Sequence, residues 1–150
     1  MSNEKIDKLT RLLTDSFMEE DFDRELKRAE RYSRPLTFLL VDPNISDEDF
    51  QNIGYLALKK IASIVRSVTR YLDEKVRLKN RILILLPETE KEGAKIVADK
   101  ILEKIRAITF NEFPEVKLKG RVGIASFPQD GTDRQSIMSA LERDLEEFKE

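Results

Sequence analysis

The sequence predicts an α/β sandwich of the α+β kind, in which a central mixed five-stranded sheet is flanked by helices. Three observations lead there. The continuous apolar run Leu36-Thr37-Phe38-Leu39-Leu40-Val41 is short and uninterrupted, as expected of a strand buried on both faces. Val76-Arg77-Leu78 and Ile82-Leu83-Ile84-Leu85-Leu86 flank Lys79-Asn80 and read as the two arms of a β-hairpin. Between and around these stretches the apolar residues recur at helical spacing.

Taken in order, Leu9, Leu12, Leu13, Phe17, Phe22, Leu26 and Ala29 suit one or two amphipathic helices from Ile6 to about Arg31. A break is expected near Thr14-Asp15-Ser16, whose short polar side chains make good N-caps. Arg34-Pro35 ends the helical pattern, because the residue before proline is pushed out of the α region. The first strand then stops at the turn Asp42-Pro43-Asn44. The acidic stretch from Ile45 to Gln51 is irregular, with Ser46 and Asp49 spaced as a helix N-cap and its third residue. Ile53 to Leu72 reads as a helix with Leu58, Ile61, Ile64, Val65 and Val68 on its core face. After the hairpin, Thr89 and Glu92 have capping-box spacing and open a helix to about Ile108, with Ala94, Val97, Ala98, Ile101 and Ile105 facing inward. Val116 to Phe127 supplies one or two more strands. Asp130-Gly131-Thr132-Asp133 is a turn and cap, and Ile137, Met138, Leu141, Leu145 and Phe148 line a last helix. This order places the chain near the ferredoxin-like type, as one domain spanning residues 1–150.

Composition narrows the chemistry. The 150 residues carry 27 cations against 29 acids, a formal net charge of −2, so no global field favours nucleic acid or membrane. Cysteine is absent, which removes disulfides, thiol nucleophiles and thiolate metal sites. Histidine is absent too, and with it the commonest general base and transition-metal ligand. Catalysis would have to rest on carboxylates, Lys, Tyr or a hard metal ion. No signal-peptide core and no apolar run of membrane-spanning length is present, so the simplest reading is a soluble cytoplasmic domain with no nucleic-acid or membrane partner. Tyr and Phe fall at core spacings and do not alternate with Lys and Arg as a nucleic-acid platform would.

A set of segments in this order resembles the GGDEF domain of bacterial diguanylate cyclases. Leu9-Thr10-Arg11-Leu12 stands where that family has Leu-Thr-Gly-Leu, and Glu25 to Arg31 followed by Arg34 to Asp42 tracks its helix-then-strand passage. Arg70-Tyr71-Leu72-Asp73 falls at the family's Arg-x-x-Asp, and Leu85-Leu86-Pro87-Glu88-Thr89 matches the segment after its signature. Gly123-Ile124-Ala125-Ser126-Phe127-Pro128 with Asp130-Gly131-Thr132-Asp133 matches the last strand and its turn. The resemblance implies a nucleotide-cyclase variant of the ferredoxin-like fold. It also makes residues 1–14 a candidate incoming linker helix.

The departures from the family pattern bear on function. Counting back from Leu85-Leu86-Pro87, the family's Gly-Gly-Asp-Glu-Phe maps onto Leu78-Lys79-Asn80-Arg81-Ile82. In the family the glycines admit GTP close to backbone, and the acidic pair supplies a metal ligand and a catalytic carboxylate. Leu78 and Lys79 carry side chains there, Asn80 is neutral and Arg81 is cationic. The metal- and nucleotide-binding segment after the first strand is about four residues shorter before Gly54, and only Asp42 remains at a metal-ligand position. Asp42 by itself suits a turn cap, and the run Ser46-Asp47-Glu48-Asp49 suits a helix start. Asn111-Glu112-Phe113 echoes the signature's ending outside its structural context.

The resemblance thus implies a degenerate signature: no catalytic residues, no metal (Asp42 being vestigial), no cofactor and no cyclase activity. The chain is expected to serve as a regulatory or protein-interaction module in cyclic di-GMP-related signalling, bound to a protein partner or a neighbouring signalling domain. The alternative is a cyclic di-GMP receptor. In the family, Arg-x-x-Asp forms an inhibitory site for that product, which would here use Arg70 and Asp73 with Arg66 or Arg77. The plain reading of Arg70 and Asp73 is an ion pair at a helix end.

Overall fold

The computed structural model describes residues 5–149. Its elements run α1 (Phe17–Glu20), α2 (Phe22–Tyr32), β1 (Leu36–Asp42), α3 (Asp47–Val68), β2 (Glu74–Leu78), β3 (Arg81–Pro87), α4 (Lys91–Arg106), β4 (Arg121–Phe127) and α5 (Arg134–Glu146). The strands form one sheet in the order β2-β3-β1-β4. The α+β sandwich and the hairpin are as expected, but the sheet has four strands rather than five, and every neighbouring pair is antiparallel rather than mixed. The reason lies in the order: β3 separates β1 from β2, so the strands joined across α3 never touch. Among the described residues, parallel pairing survives only as an isolated bridge between Leu13 and Val76. Val116 and Leu118 mimicked a fifth strand because both are buried, yet they plug the core from an unpaired segment.

The two-sided burial of β1 explains its uninterrupted apolar run. Leu39 and Val41 join Ile82, Ile84 and Leu86 beneath α3 and α4. Leu36, Phe38 and Leu40 join Leu83 and Leu85 beneath α2 and α5. Each fully buried Leu or Phe contributes roughly 1.5–3 kcal/mol relative to exposure. Thr37, also buried, keeps its hydroxyl satisfied by donating to the Thr89 carbonyl at 2.8 Å. On β4, Gly123 is demanded by packing: a Cβ there would lie 2.5 Å from the Leu141 carbonyl oxygen of α5.

Helix boundaries were less legible. Ser46 caps α3 by accepting the Asp49 N–H at 3.1 Å, and Asp133 and Ser136 form a full capping box on α5. The Thr89–Glu92 box does not form. Glu90 is the N-cap of α4, and the Thr89 hydroxyl instead donates to the Pro87 carbonyl at 2.9 Å. Helix α3 ends at Val68 rather than Leu72, because Thr69 turns extended and its hydroxyl bonds back to Val65 at 2.7 Å.

The expected linker helix over residues 1–14 is not formed in the described part of that segment; residues 1–4 lie outside it. Asp7 accepts the Thr10 N–H at 2.9 Å and the Thr10 hydroxyl at 2.7 Å, and Arg11 adopts φ +65°. A carboxylate competing for backbone in this way favours a turn over a helix. The loop then docks on the outer edge of β2, where Leu13 N–H donates to Lys75 and Arg77 N–H to Leu13, both at 2.9 Å. It covers an edge that would otherwise invite strand pairing.

Candidate functional site

The hairpin tip forms one wall of the first candidate site. Leu78 pairs with Arg81 across the two-residue loop Lys79-Asn80, and Lys79 sits at φ +59°, a conformation that favours glycine. Ile82 is buried in the sheet core, so of the mapped signature positions it serves packing. From the tip, Arg81 reaches the end of β1, where its Nε lies 3.3 Å and its Nη2 3.2 Å from Asp42 Oδ2. Arg121, from the start of β4, donates to the same oxygen at 2.7 Å. The other oxygen, Oδ1, accepts the Asn44 N–H at 2.8 Å and closes the turn. Arg81 also donates through Nη1 to Glu142 on α5 at 2.7 Å. Asp42 is therefore both the turn cap read from sequence and the centre of an ion-pair clasp. Its side chain is only 14% exposed.

Beside the clasp lies a groove of about 550 Å³, bounded by Asp42, Pro43, Ile45, Phe50, Asn80 and Arg81. Phe50 folds back over α3, with its ring where a Cβ on Gly54 would come within 2.5 Å. Among the described residues, no three or more His, Cys, Asp or Glu side chains are grouped to hold a metal ion. The acidic run Asp47-Glu48-Asp49 forms the first turn of α3, and Asn111-Glu112-Phe113 lies in the loop after α4.

In the second candidate group, Arg66 sits in the last turn of α3, but Arg70 and Asp73 lie beyond the helix and Arg77 is on β2. Arg70 and Asp73 occupy the turn between α3 and β2, and Asp73 is only 2% exposed. One oxygen of its carboxylate accepts the Arg70 N–H at 2.7 Å and the other accepts Arg70 Nη2 at 2.8 Å. That Nη2 also donates to the Pro87 carbonyl at 2.7 Å and the Thr89 hydroxyl at 2.9 Å. The bond to Asp73 raises the Arg70 pKa, with burial opposing it. Arg66 donates to the Thr10 carbonyl. These three line one groove of about 660 Å³ with Arg11, Tyr71 and Lys75. Burial, the largest influence, lowers the Lys75 pKa. Arg77 departs from the group: it grips Asp7 at 3.1 and 3.2 Å and the Lys79 carbonyl at 2.9 Å.

Four participants were missed from sequence. Asp7 and Thr10 were detectable, since Asp-x-x-Thr is a local turn signal. Arg121 and Glu142 had no local signal, because they meet the tip only through the sheet and α5. Tyr71 looked like a helical residue but projects wholly into solvent.

With this geometry in view, comparison with known proteins is informative. Residues 4–150 match the family described as diguanylate cyclase, GGDEF domain. The chain is 27% identical over 137 residues to the bifunctional diguanylate cyclase/cyclic di-GMP phosphodiesterase MucR of Pseudomonas aeruginosa, an alignment covering 88% of the chain and 20% of that protein. The chain thus spans about a fifth of that relative's length. Among solved structures, the GGDEF domain of TpbB (YfiN) from P. aeruginosa aligns with TM-score 0.83 and 24% identity, over 94% of this chain and 86% of that one. The GGDEF domain of DgcB from Caulobacter crescentus, solved in complex with c-di-GMP, gives TM-score 0.85 and 15% identity, over 98% and 91%. SiaD from P. aeruginosa, a diguanylate cyclase solved with its activator SiaC, gives 0.82 and 20%, over 95% and 56%. At these identities the structures speak for the fold, and the family match covers nearly the whole chain. The chain belongs to the GGDEF-domain family of the diguanylate cyclases.

Proposed function

We propose that this GGDEF domain is catalytically inactive and acts as a regulatory or protein-interaction module on the cytoplasmic side of bacterial cyclic di-GMP signalling. The observation that carries this reading is the Asp42 clasp. Hard divalent cations need several oxygen anions, and a cyclase needs metal at the triphosphate. The one carboxylate at the end of β1 is already bonded by two guanidinium groups, Arg81 and Arg121. Arg81 and Glu142 balance the remaining charge. This donor set does not fit a magnesium ion, and no catalytic step is assigned to one. The sequence Gly-Gly-Asp-Glu-Phe also occurs nowhere in the chain. Among the described residues, no helix is long and apolar enough to cross a membrane. Incubation with GTP and Mg²⁺, followed by nucleotide chromatography, should yield no cyclic di-GMP. Turnover that disappears in Asp42→Ala would overturn the reading.

A second reading, a cyclic di-GMP receptor, is supported by the shared groove of Arg66, Arg70 and Asp73 beside the exposed Tyr71 ring. Its weakness is that Asp73 and the Nε–Nη2 edge of Arg70 already satisfy each other. Calorimetric titration with cyclic di-GMP decides it: saturable heat lost in Arg70→Ala supports a receptor, and no heat from folded protein removes it.

A further inference from the structure

We infer that the groove between the N-terminal loop and the Arg70–Asp73 turn docks an acidic polypeptide segment with a bulky apolar anchor, presented by a protein partner. This deepens the interaction-module reading and rests on it. The apolar part is unusual for a small domain: Tyr71 is 102% exposed, Leu72 48% and Ile6 49%, all on one groove. Apolar side chains grouped on a surface in this way mark contact sites. The polar part is cationic. Arg11, Arg66, Arg70 and Lys75 line the groove against two acids, Asp73 and Glu74, and Asp73 is spent on Arg70. Arg11 is exposed, its backbone N–H donates to the Asp7 carbonyl at 2.7 Å, and its guanidinium has no hydrogen-bond or ion-pair partner among the described residues.

The arrangement of donors argues for a chain rather than a compact ligand. Arg70 has its Nε and Nη2 turned inward to Asp73, Pro87 and Thr89, so a forked grip on one planar group would first have to break those bonds. The remaining cations come from separate segments beside apolar steps: the free Arg11 guanidinium on the N-terminal loop, Arg66 on α3, which donates to the Thr10 carbonyl, and the half-buried Lys75 on β2, which donates to the Arg70 carbonyl at 3.2 Å. Successive carboxylates on an extended or helical segment complement such a surface, and opposite charge speeds the encounter.

The test pans a random-peptide phage library on the folded full chain and measures the enriched peptides by fluorescence anisotropy. Enriched sequences should be acidic with a Phe, Leu or Met anchor. Their affinity should fall roughly tenfold at low salt with Arg11→Glu, and less at high salt where the field is screened. It should also fall with Tyr71→Ser. Both positions are exposed, and unchanged thermal melting checks the fold. Peptides indifferent to both substitutions, peptides without acidic character, or no enrichment would overturn the inference. If binding is instead lost in Lys79→Glu, the groove is wrong and the interaction reading moves to the hairpin tip. Cyclic di-GMP heat abolished by Arg11→Glu, with no peptide enriched, would assign the groove to a dinucleotide. GTP turnover would overturn the underlying reading independently.

Discussion

Asp42→Asn separates a structural clasp from a metal-binding relic. The carboxylate accepts Arg121 at 2.7 Å, Arg81 at 3.2 Å and the Asn44 N–H at 2.8 Å. A hydrogen bond to a charged group is worth about 1.5–3 kcal/mol when buried. Arg81 and Arg121 are 33% and 27% exposed, so solvent screening reduces each pair toward the lower end of that range. The amide keeps one acceptor for the turn but leaves Arg121 without its carboxylate partner and Arg81 with Glu142 alone. The expected loss is about 2 kcal/mol, or roughly 4–8 °C in Tm for a domain of this size. Urea unfolding followed by circular dichroism should show a lower midpoint with an unchanged slope. In a metal-binding carboxylate cluster the sign reverses, because neutralising one of several crowded acids relieves repulsion and stabilises. An Asp42→Asn protein as stable as the parent, or a parent stabilised by millimolar Mg²⁺ where the variant is not, would refute the clasp.

Four further outcomes follow from the same structure. Arg11→Gly, at φ +65°, should stabilise by about 0.5 kcal/mol, the left-handed strain relieved exceeding the added unfolded-state entropy; thermal unfolding measures it. Gly123→Ala should destabilise by about 3 kcal/mol, since the new methyl meets backbone of α5 at 2.5 Å; chemical denaturation reads the loss. Burial pushes the Asp7 carboxyl up, but its bonds to Thr10 and the Arg77 pair outweigh this and hold its pKa below the usual 3.8. Its stabilising contribution is therefore complete above that value and lost as pH falls through the lower folded pKa, so the stability gap between parent and Asp7→Asn should narrow only on acidification below about pH 4. Asp144 accepts the Ile124 N–H of the edge strand β4 at 2.7 Å, so Asp144→Ala should speed exchange of that amide and raise self-association in light scattering.

How much was legible can be judged from particular residues. Leu36–Val41 and Ile82–Leu86 announced buried strands because burial on both faces leaves a local, continuous apolar record. The core faces of α3 and α4 were legible from one-sided apolar residues at helical spacing. Family-level motifs located the hairpin tip and Asp42. The turn role of Asp42 was also readable, since its partner Asn44 is two residues away. Asp73 carried the right spacing to Arg70 but not its setting, because only the early end of α3 at Val68 shows that the pair staples a turn.

The sequence by itself determined the order of strands and helices, the two-sided core and the absence of thiol or imidazole chemistry, all of which depend on residue identity and short-range pattern. The tertiary structure alone decided the all-antiparallel pairing, the docking of residues 5–13 on β2 and the grip of Arg121 on Asp42, two residues separated by most of the chain. Such contacts leave no local trace, because charge pairing acts through space between β1 and β4 only after the sheet has brought their ends together.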